Sequence, residues 1–502
     1  MKIKSFRDDL HAAYTENRWL VLSALFILLL RLTFIGFMGL MPQDAYYTFY
    51  TEHPAASYFD HPPGIAWILK SFTAVLGKKV YAVKLADTAV TLFTLIFFYR
   101  FSLRFLSRRR AANALMLFSS TLMVTILSLV STPDVPLLLC WTLSLLCLYK
   151  ALFLEKKVYW LLAGIMMGLA FDSKYTAVFL PAGLLLYLAL SATHRKWLGT
   201  VWPWLSFVLM VLAFSPVLWW NVQHDFASFR FQSTGRTGGI DFRITDLLGV
   251  IAHQSAILAP VMFFSLLVVL YKMTRKYKGK LWTVPDHTLF LLCFFLPVFL
   301  SFLSISVVYW VKLNWMMPAY VTGVIWVSKY LSQKTIKWQQ IFAVAIHIVL
   351  AVELRWYPVP IRSDDVWVGW GRMASAVKNL KRSYPSDFVF SADDYKTSAV
   401  LNFYMEEMVY GQNIIRKPAL QFDYVGTRLT SLKGKNALFI NSVRHIGDEQ
   451  LEKQFADSLR RYFREVYPLK PIEVKRGPRL VRKFLVYRCE YYLPGRPGLT
   501  GK

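Results

Sequence analysis

Apolar runs of membrane-spanning length recur through about the first 355 of the 502 residues in this chain. A helix needs roughly 20 apolar residues to cross a hydrocarbon core of about 30 Å. We therefore predict an α-helical polytopic membrane domain over residues 1–360, with about eleven transmembrane helices. The predicted spans lie near residues 19–40, 80–99, 111–131, 134–152, 158–171, 175–192, 200–220, 246–271, 287–308, 313–330 and 338–356.

The basic residues are concentrated in every second loop between these spans. They are Lys2, Lys4, Arg7, Arg100, Arg104, Arg108, Arg109, Arg110, Lys150, Lys156, Lys157, Arg195, Lys196, Lys272, Arg275, Lys276, Lys278, Lys280, Lys329, Lys334 and Lys337. Because cytoplasmic loops carry an excess of Lys and Arg, these segments are predicted to be cytoplasmic. The membrane thus accounts for the net charge of +28, and no nucleic-acid partner is expected.

The alternate loops, which are then extracytoplasmic, carry polar residues among aromatics and prolines. They hold Asp44, Asp60, His61, Asp134, Asp172, Lys174, His224, Asp225, Arg230, Arg236, Lys312 and Asn314. A charge at membrane depth is costly and usually marks a site or a water-filled cavity. The alternative, that each residue is an ordinary solvated loop residue, stays open. Arg31 lies inside the first span, where it is expected either to snorkel or to pair with a carboxylate such as Asp87.

The composition changes from about Ser363 onward. Apolar runs shorten to strand length at residues 388–391, 437–441 and 484–491, and charged, helix-compatible stretches separate them. This alternation predicts a soluble α/β domain over residues 361–502. Asp393, Asp394, Tyr395 and Lys396 follow one predicted strand. Surface charge beside the start of a helix explains them at least as well as a site does, so we keep them out of the catalytic set.

The first outer loop carries the residue pattern most typical of catalysis. Asp44 directly follows the first span and precedes Tyr46 and Tyr47. A carboxylate there can act as general base on a bound hydroxyl, while the aromatic rings can stack on a sugar. Pro62 and Pro63 follow Asp60 and His61, and their fixed φ angles stiffen that segment.

The other outer loops supply groups suited to a phosphate or a sugar. Lys174, Arg230 and Lys312 are cations that can make charge-assisted hydrogen bonds to phosphate oxygens. Asp134, Tyr175 and Asn314 lie beside them in sequence or at neighbouring outer turns. Carboxylates, cations and aromatics at one membrane face are what the transfer of a sugar from a lipid phosphate needs.

A divalent metal ion is a further possible component of the site. His224, His253 and Asp60 are weak candidate ligands, since imidazole and carboxylate groups suit zinc or manganese. No ligand spacing supports such a site, so no cofactor is assigned.

The motifs occur in a fixed order along nearly the whole chain. They are Gln43-Asp44-Ala45-Tyr46-Tyr47, Asp60-His61-Pro62-Pro63, Thr132-Pro133-Asp134-Val135-Pro136, and the segments at residues 168–175, 220–225, 228–232, 314–320, 394–396 and 401–404. In this order the chain resembles the GT-C glycosyltransferases that use polyprenyl-phosphate sugars. The resemblance is to the bacterial branch that holds the lipid A aminoarabinose transferases and the protein O-mannosyltransferase-like enzymes.

The resemblance implies an inverting transfer at the outer membrane face, with Asp44 at the position of the family's catalytic acidic residue. That motif is often Asp-Glu in the family, whereas this chain has Ala45 in second place. His61 stands where the aminoarabinose branch has a lysine thought to contact the donor phosphate. Because a histidine can be neutral at pH 7, the resemblance does not specify aminoarabinose.

We therefore expect a hexosyl- or pentosyltransferase that moves one sugar from a polyprenyl-phosphate donor to lipid A, another glycolipid or a protein. The expected location is a bacterial inner membrane, with the active site and the C-terminal domain facing the periplasm. Two alternatives stay open: a flippase or transporter of a lipid-linked saccharide, and a membrane glycan polymerase or ligase. Transporters often show paired halves and polar residues near the midplane, and neither feature is evident in this sequence.

Overall fold

A computed structural model describes residues 18–233, 242–359, 363–426, 428–443 and 449–494. Arg236 and the basic residues Lys2, Lys4 and Arg7 lie outside the described residues. So does the predicted domain boundary at residues 360 and 361, which stays a prediction.

The chain divides into two compact units. The helical unit comprises Met1–Phe34, His61–Ile68 and Lys84–Ala351. The sheet unit comprises Ile35–Asp60, Leu69–Val83 and Val352–Lys502. Residues that follow the first helix therefore pack with the C-terminal part of the chain, so a single cut in the sequence does not separate the two units.

The α-helices described between residues 18 and 359 are α1 to α16. They are α1 (Arg18–Phe37), α2 (Pro42–Glu52), α3 (Gly64–Leu76), α4 (Val80–Ser102), α5 (Arg108–Ser119), α6 (Leu122–Leu129), α7 (Asp134–Phe153), α8 (Val158–Phe171), α9 (Phe179–Leu190), α10 (Val201–Gln223), α11 (Ala227–Ser233), α12 (Ile244–Leu258), α13 (Pro260–Tyr277), α14 (Asp286–Ile305), α15 (Met317–Ser328) and α16 (Gln333–Trp356).

Six of these helices, within the described ranges, are long and apolar enough to cross a membrane: α1, α4, α7, α10, α14 and α16. Two further pairs qualify together but are bent, α5 with α6 by 61° and α12 with α13 by 113°. Shorter apolar helices lie at Gly64–Leu76, Val158–Phe171, Tyr175–Leu190 and Met317–Ser328. The polytopic helical class is confirmed, and the count of about eleven spans stays a prediction.

The first outer loop differs from its expected form, because it contains the helices α2 and α3. Helix α2 is polar and aromatic, and its residues give no apolar run. It begins with Pro42 in its first turn, where a proline needs no amide partner. The Asp44 carboxylate accepts the Met41 backbone N–H at 2.8 Å and so caps the helix.

Arg31 serves the break between α5 and α6. Its guanidinium donates to the Thr125 hydroxyl at 2.6 Å and the Thr121 carbonyl at 3.2 Å, and also to the Ser119 carbonyl. A broken helix in a membrane must find partners for the backbone groups that it frees. Arg31 therefore takes neither expected role, since it is buried and binds carbonyls at the break between α5 and α6. Asp87 instead accepts a hydrogen bond from Ser131 at 2.6 Å.

Gln339 on α16 serves the second break in the same way. Its side-chain amide donates to the Leu258 carbonyl at 2.6 Å and accepts the Met262 N–H at 2.7 Å. Ala259 between the two helices has a φ of +63°, in the left-handed region that L residues rarely adopt. Gln339 is 1% exposed, so these two hydrogen bonds are shielded from water.

The sheet unit contains the described strands and three further α-helices. They are β1 (Phe388–Phe390), β2 (Val409–Tyr410), β3 (Ala437–Val443), β4 (Phe463–Pro468), β5 (Ile472–Arg476) and β6 (Arg479–Tyr492), with helices α17 (Trp370–Ser383), α18 (Lys396–Tyr404) and α19 (Glu449–Arg460). The strand order is β2-β1-β3-β6-β4, and β5 also pairs with β6. Strand β1 is parallel to β2 and β3, whereas β6 is antiparallel to its partners. The predicted α/β domain is confirmed.

Asp393 follows β1 and fixes the start of α18. It accepts the Thr397 backbone N–H at 3.1 Å and the Thr397 hydroxyl at 2.5 Å. Ser391 donates to it at 3.1 Å, and burial raises its pKa from 3.8 to about 6. Asp393 is therefore partly buried and binds the first turn of α18, and it is not a surface charge.

Replacing Gln339 with leucine is expected to destabilise the protein. The change leaves the Leu258 carbonyl and the Met262 N–H buried without partners, at a cost of about 1–3 kcal/mol for each group. Thermal unfolding of the purified protein in detergent measures this loss. Gln340→Leu is the matched control, since Gln340 accepts one hydrogen bond from Ser23 and does not serve the break. Equal melting temperatures for the two variants would contradict the role of Gln339.

Candidate functional site

The predicted site residues fall into two groups, one in each unit. In the helical unit, the Lys174 ammonium donates to both carboxylate oxygens of Asp134, at 2.8 and 2.9 Å. The Asn314 side-chain amide donates to the same carboxylate at 2.5 Å. Lys174 is 5% exposed and Asp134 is fully buried. Asp134 opens α7, where the helix dipole favours a negative charge.

A cavity of about 220 Å³ lies beside this ion pair. Its lining residues are His61, Lys174, Tyr175, Thr176, Val178, Phe179, Gln232, Phe302 and Trp315. The Tyr175 hydroxyl is 2.7 Å from the Ser228 hydroxyl, and the rings of Phe302 and Trp315 are 5.4 Å apart. The structure therefore brings together five predicted residues, because Asp134 binds Lys174 and Asn314 while His61 and Tyr175 line the same cavity.

A backbone contact explains why His61 and Lys174 share this cavity. The Gly64 N–H donates to the Asp172 carbonyl at 2.7 Å, which joins the turns that carry the two residues. A Cβ atom at Gly64 would lie 2.9 Å from both the Asp172 carbonyl oxygen and the Ser173 hydroxyl oxygen. Only glycine therefore fits at this position without displacing one of the turns.

Asp172 was expected only as an outer-turn carboxylate, and the structure adds a chemical property to it. Its side chain is 2% exposed, and burial raises its pKa from 3.8 to about 7. Within the described part of the chain, its Oδ1 atom has no hydrogen-bond partner. Its position two residues before Lys174 is the sequence signal that pointed to it.

The second group lies in the sheet unit and is built around Asp60. This carboxylate accepts the Tyr46 hydroxyl at 2.9 Å and also the Tyr50 hydroxyl. Burial, and then the charge of Asp60, raise the pKa of both phenols well above 10.0, which keeps them protonated as donors. Tyr47 packs edge-on against Tyr46, with ring centroids 5.6 Å apart.

Gln421 holds this cluster and was not predicted. Its backbone N–H donates to the Tyr46 hydroxyl at 3.2 Å, and its side chain accepts the Phe59 N–H at 2.8 Å. The Tyr395 ring lies 4.4 Å from the Tyr46 ring, centroid to centroid. Gln421 lies 375 positions from Tyr46 in the sequence, so no local sequence pattern indicates that the two residues are in contact.

Asp44 belongs to the same unit and is fully buried. One of its oxygens accepts the Met41 N–H, as described above. Burial, and then the nearby Asp44 carboxylate, raise the pKa of Tyr404. The cap explains why a carboxylate stands at this position, and the catalytic role of Asp44 stays a prediction.

The other predicted residues lie outside these contacts. Arg230 on α11 and Lys312 before α15 are exposed. His224 stacks on Trp220 with centroids 4.1 Å apart, and His253 packs edge-on against Trp310 at 5.7 Å. In the residues that the structure describes, no group of three or more His, Cys, Asp or Glu side chains can hold a metal. His224, His253 and Asp60 therefore form no such cluster there.

Sequence comparison relates the chain to known glycosyltransferases. The family described as dolichyl-phosphate-mannose-protein mannosyltransferase matches residues 60–220. The lipid A galacturonosyltransferase RgtD of Rhizobium johnstonii is 25% identical over 285 residues, which is 56% of this chain. The match spans 58% of the length of that relative.

Structure comparison shows a shared fold over nearly the whole chain. ArnT from Cupriavidus metallidurans in the apo state has a TM-score of 0.63 at 13% identity, over 94% of this chain and 98% of ArnT. ArnT bound to undecaprenyl phosphate has a TM-score of 0.61 at 15% identity, over 93% and 98%. Residues 60–220 thus match a glycosyltransferase family, and the chain shares the fold of ArnT over nearly its whole length. The family match includes Asp60, His61, Asp134 and Lys174.

We expect Asp172→Asn to stabilise the protein increasingly as the pH rises. The folded carboxyl keeps its proton up to about pH 7, whereas the unfolded one loses it near 3.8. The wild type therefore loses stability between these two pH values, while the amide cannot ionise. Melting temperatures of both proteins from pH 5 to pH 8 give the difference.

Asp225→Asn removes an exposed carboxylate at another predicted outer turn and serves as the control. A difference in melting temperature between Asp172→Asn and the wild type that stays constant with pH would contradict the raised pKa of Asp172.

Proposed function

We propose that this protein is a GT-C glycosyltransferase that transfers one sugar from a polyprenyl-phosphate donor to a glycolipid such as lipid A, at the periplasmic face of a bacterial inner membrane. The observation that carries the proposal is the buried Lys174 ammonium, held by Asp134 beside a cavity with His61 and aromatic walls. The family match and the sequence similarity to a lipid A galacturonosyltransferase support it.

The helical unit contains the residues proposed to bind the donor phosphate. A lysine carries three N–H donors, and the Asp134 carboxylate pairs with the buried ammonium and orients it. A phosphate that loses its sugar gains negative charge on the bridging oxygen, which a preorganised cation stabilises. His61 on the same cavity can donate a further hydrogen bond.

The aromatic wall suits the rest of the donor. Tyr175, Phe179, Phe302 and Trp315 line the cavity and offer apolar faces. Such faces pack against a sugar ring or an isoprenoid chain, while the tyrosine hydroxyl supplies a polar contact. Arg230 and Lys312 stay candidate phosphate ligands from sequence.

The proposed reaction is a direct displacement at the anomeric carbon. The acceptor oxygen forms its bond as the bond to the phosphate oxygen breaks, and the electron pair leaves with the polyprenyl phosphate. If the acceptor is a hydroxyl, Asp44 takes its proton. If the acceptor is itself a phosphate, no proton moves, and Asp44 orients a sugar hydroxyl.

The acceptor is proposed from the longer of the two sequence matches. The relative named for lipid A aligns over 285 residues. The family named for protein mannosylation matches only residues 60–220. A glycolipid acceptor is therefore favoured over a protein, and galacturonic acid joins mannose and aminoarabinose as a sugar to be tested.

Transfer of radiolabelled sugars from a panel of polyprenyl-phosphate donors, in membranes that contain the protein, tests the activity. Label is expected in the glycolipid fraction, and Asp44→Asn is expected to lower transfer at least about 100-fold if Asp44 is the base. Asp365→Asn is the control, because it removes another carboxylate of the sheet unit that contacts the same helix through Gln43. Full turnover by Asp44→Asn would reject that residue, and donor movement between leaflets without transfer would indicate a flippase.

The Lys174–Asp134 pair allows folding and function to be separated. Lys174→Gln strands a buried carboxylate and is expected to cost about 3–5 kcal/mol of stability. The double variant Lys174→Gln with Asp134→Asn removes both charges and is expected to recover much of that stability. Transfer is expected to stay abolished, because the phosphate has lost its cation.

Thermal unfolding and the transfer assay on the same preparations measure both effects. Activity that returns together with stability in the double variant would show that the pair is only structural.

A further inference from the structure

One face of α13 changes from apolar to basic along its length. Val261, Phe264, Val268, Lys272 and Lys276 recur at three- and four-residue spacing, so they lie on one side of the helix. They line a groove of about 760 Å³ together with Thr288, Tyr330 and Thr335 from neighbouring segments. The groove therefore has an apolar half and a cationic half.

A second cavity of about 910 Å³ adjoins the basic end of this groove, since Tyr330 and Leu331 line both. Its lining includes Arg109, Arg110 and Lys329. The side chain of Arg110 also donates to the Lys329 carbonyl at 3.0 Å, which fixes one wall. An apolar groove thus continues into a polar, cationic cavity.

Three of these cations, Lys272, Lys276 and Lys329, have no acidic partner among the described residues. All three belong to the basic loops that the positive-inside rule places in the cytoplasm. The two cavities contain none of the residues proposed for sugar transfer.

The length of the apolar half matches one leaflet of a bilayer. The eleven steps from Val261 to Lys272 span about 16 Å along a helix with a rise of 1.5 Å. Half of a hydrocarbon core of about 30 Å is about 15 Å. An acyl chain along this face therefore places its headgroup level with Lys272 and Lys276.

We propose that the groove and the adjoining cavity form a binding site for an anionic phospholipid of the cytoplasmic leaflet. The acyl chains lie along the apolar face of α13, and the phosphate lies against Lys272 and Lys276. The polar part of the headgroup extends past Tyr330 into the cavity with Arg109, Arg110 and Lys329. Basic pockets between helices at this side of a membrane are suited to anionic headgroups.

Native mass spectrometry of the full chain, titrated with phosphatidylglycerol or with phosphatidylcholine of the same acyl chains, tests the site. The wild type is expected to retain phosphatidylglycerol in preference to phosphatidylcholine. Lys272→Gln with Lys276→Gln is expected to lower the retained phosphatidylglycerol at least about fivefold, because the lipid phosphate loses both of its proposed cations.

Two further variants test whether retention depends on this site or only on the net charge, and whether it needs the apolar half of the groove. Lys156→Gln with Lys157→Gln removes the same charge at another predicted cytoplasmic turn, lines neither cavity, and is expected to keep wild-type retention. Val268→Trp, at a half-exposed position, fills the apolar half without changing charge and is expected to lower phosphatidylglycerol retention. Wild-type retention by the Lys272 and Lys276 variant would overturn the proposal. Equal retention of both lipids by the wild type, or retention of polyprenyl phosphate alone, would do the same.

Discussion

The ion pair between Lys174 and Asp134 is the interaction on which the helical unit's site depends. A buried ammonium is tolerated only beside a counter-charge, and Asp134 supplies it with both oxygens. The partners come from separate parts of the chain, the start of α7, the turn after α8 and, through Asn314, the turn before α15. The pair therefore fixes three turns at once, and the Gly64 contact with Asp172 adds the turn that carries His61.

Much of the fold follows from the sequence because its signals are local. Apolar length predicts the helices, and alternating short runs predict the sheet unit, so the class of the molecule was predictable. Lys174 and Asp134 were also visible in the sequence, since a charge next to an apolar run stands out. Their pairing was not predictable, because nothing in either turn specifies a partner 40 residues away.

The features that the sequence did not reveal depend on distant partners. The broken helices look continuous in composition, and their breaks become acceptable only through Arg31 and Gln339. Helix α2 was missed because its burial is provided by aromatic packing with residues near Tyr395 and Phe422, in place of an apolar run of its own. The same packing explains why the segment with Asp44 clusters with the C-terminal part of the chain.

The break at Ala259 has a consequence for the order of biogenesis. The Leu258 carbonyl and the Met262 N–H at this break bind Gln339, which is synthesised 77 residues after Met262. At about 5–20 residues per second, this interval lasts about 4–15 s. During that time the two backbone groups at the break cannot bind Gln339. The α12–α13 segment must then either be straight or bind a temporary partner at the insertion machinery before the bent form is made. The bend is thus completed only after α16 has left the ribosome.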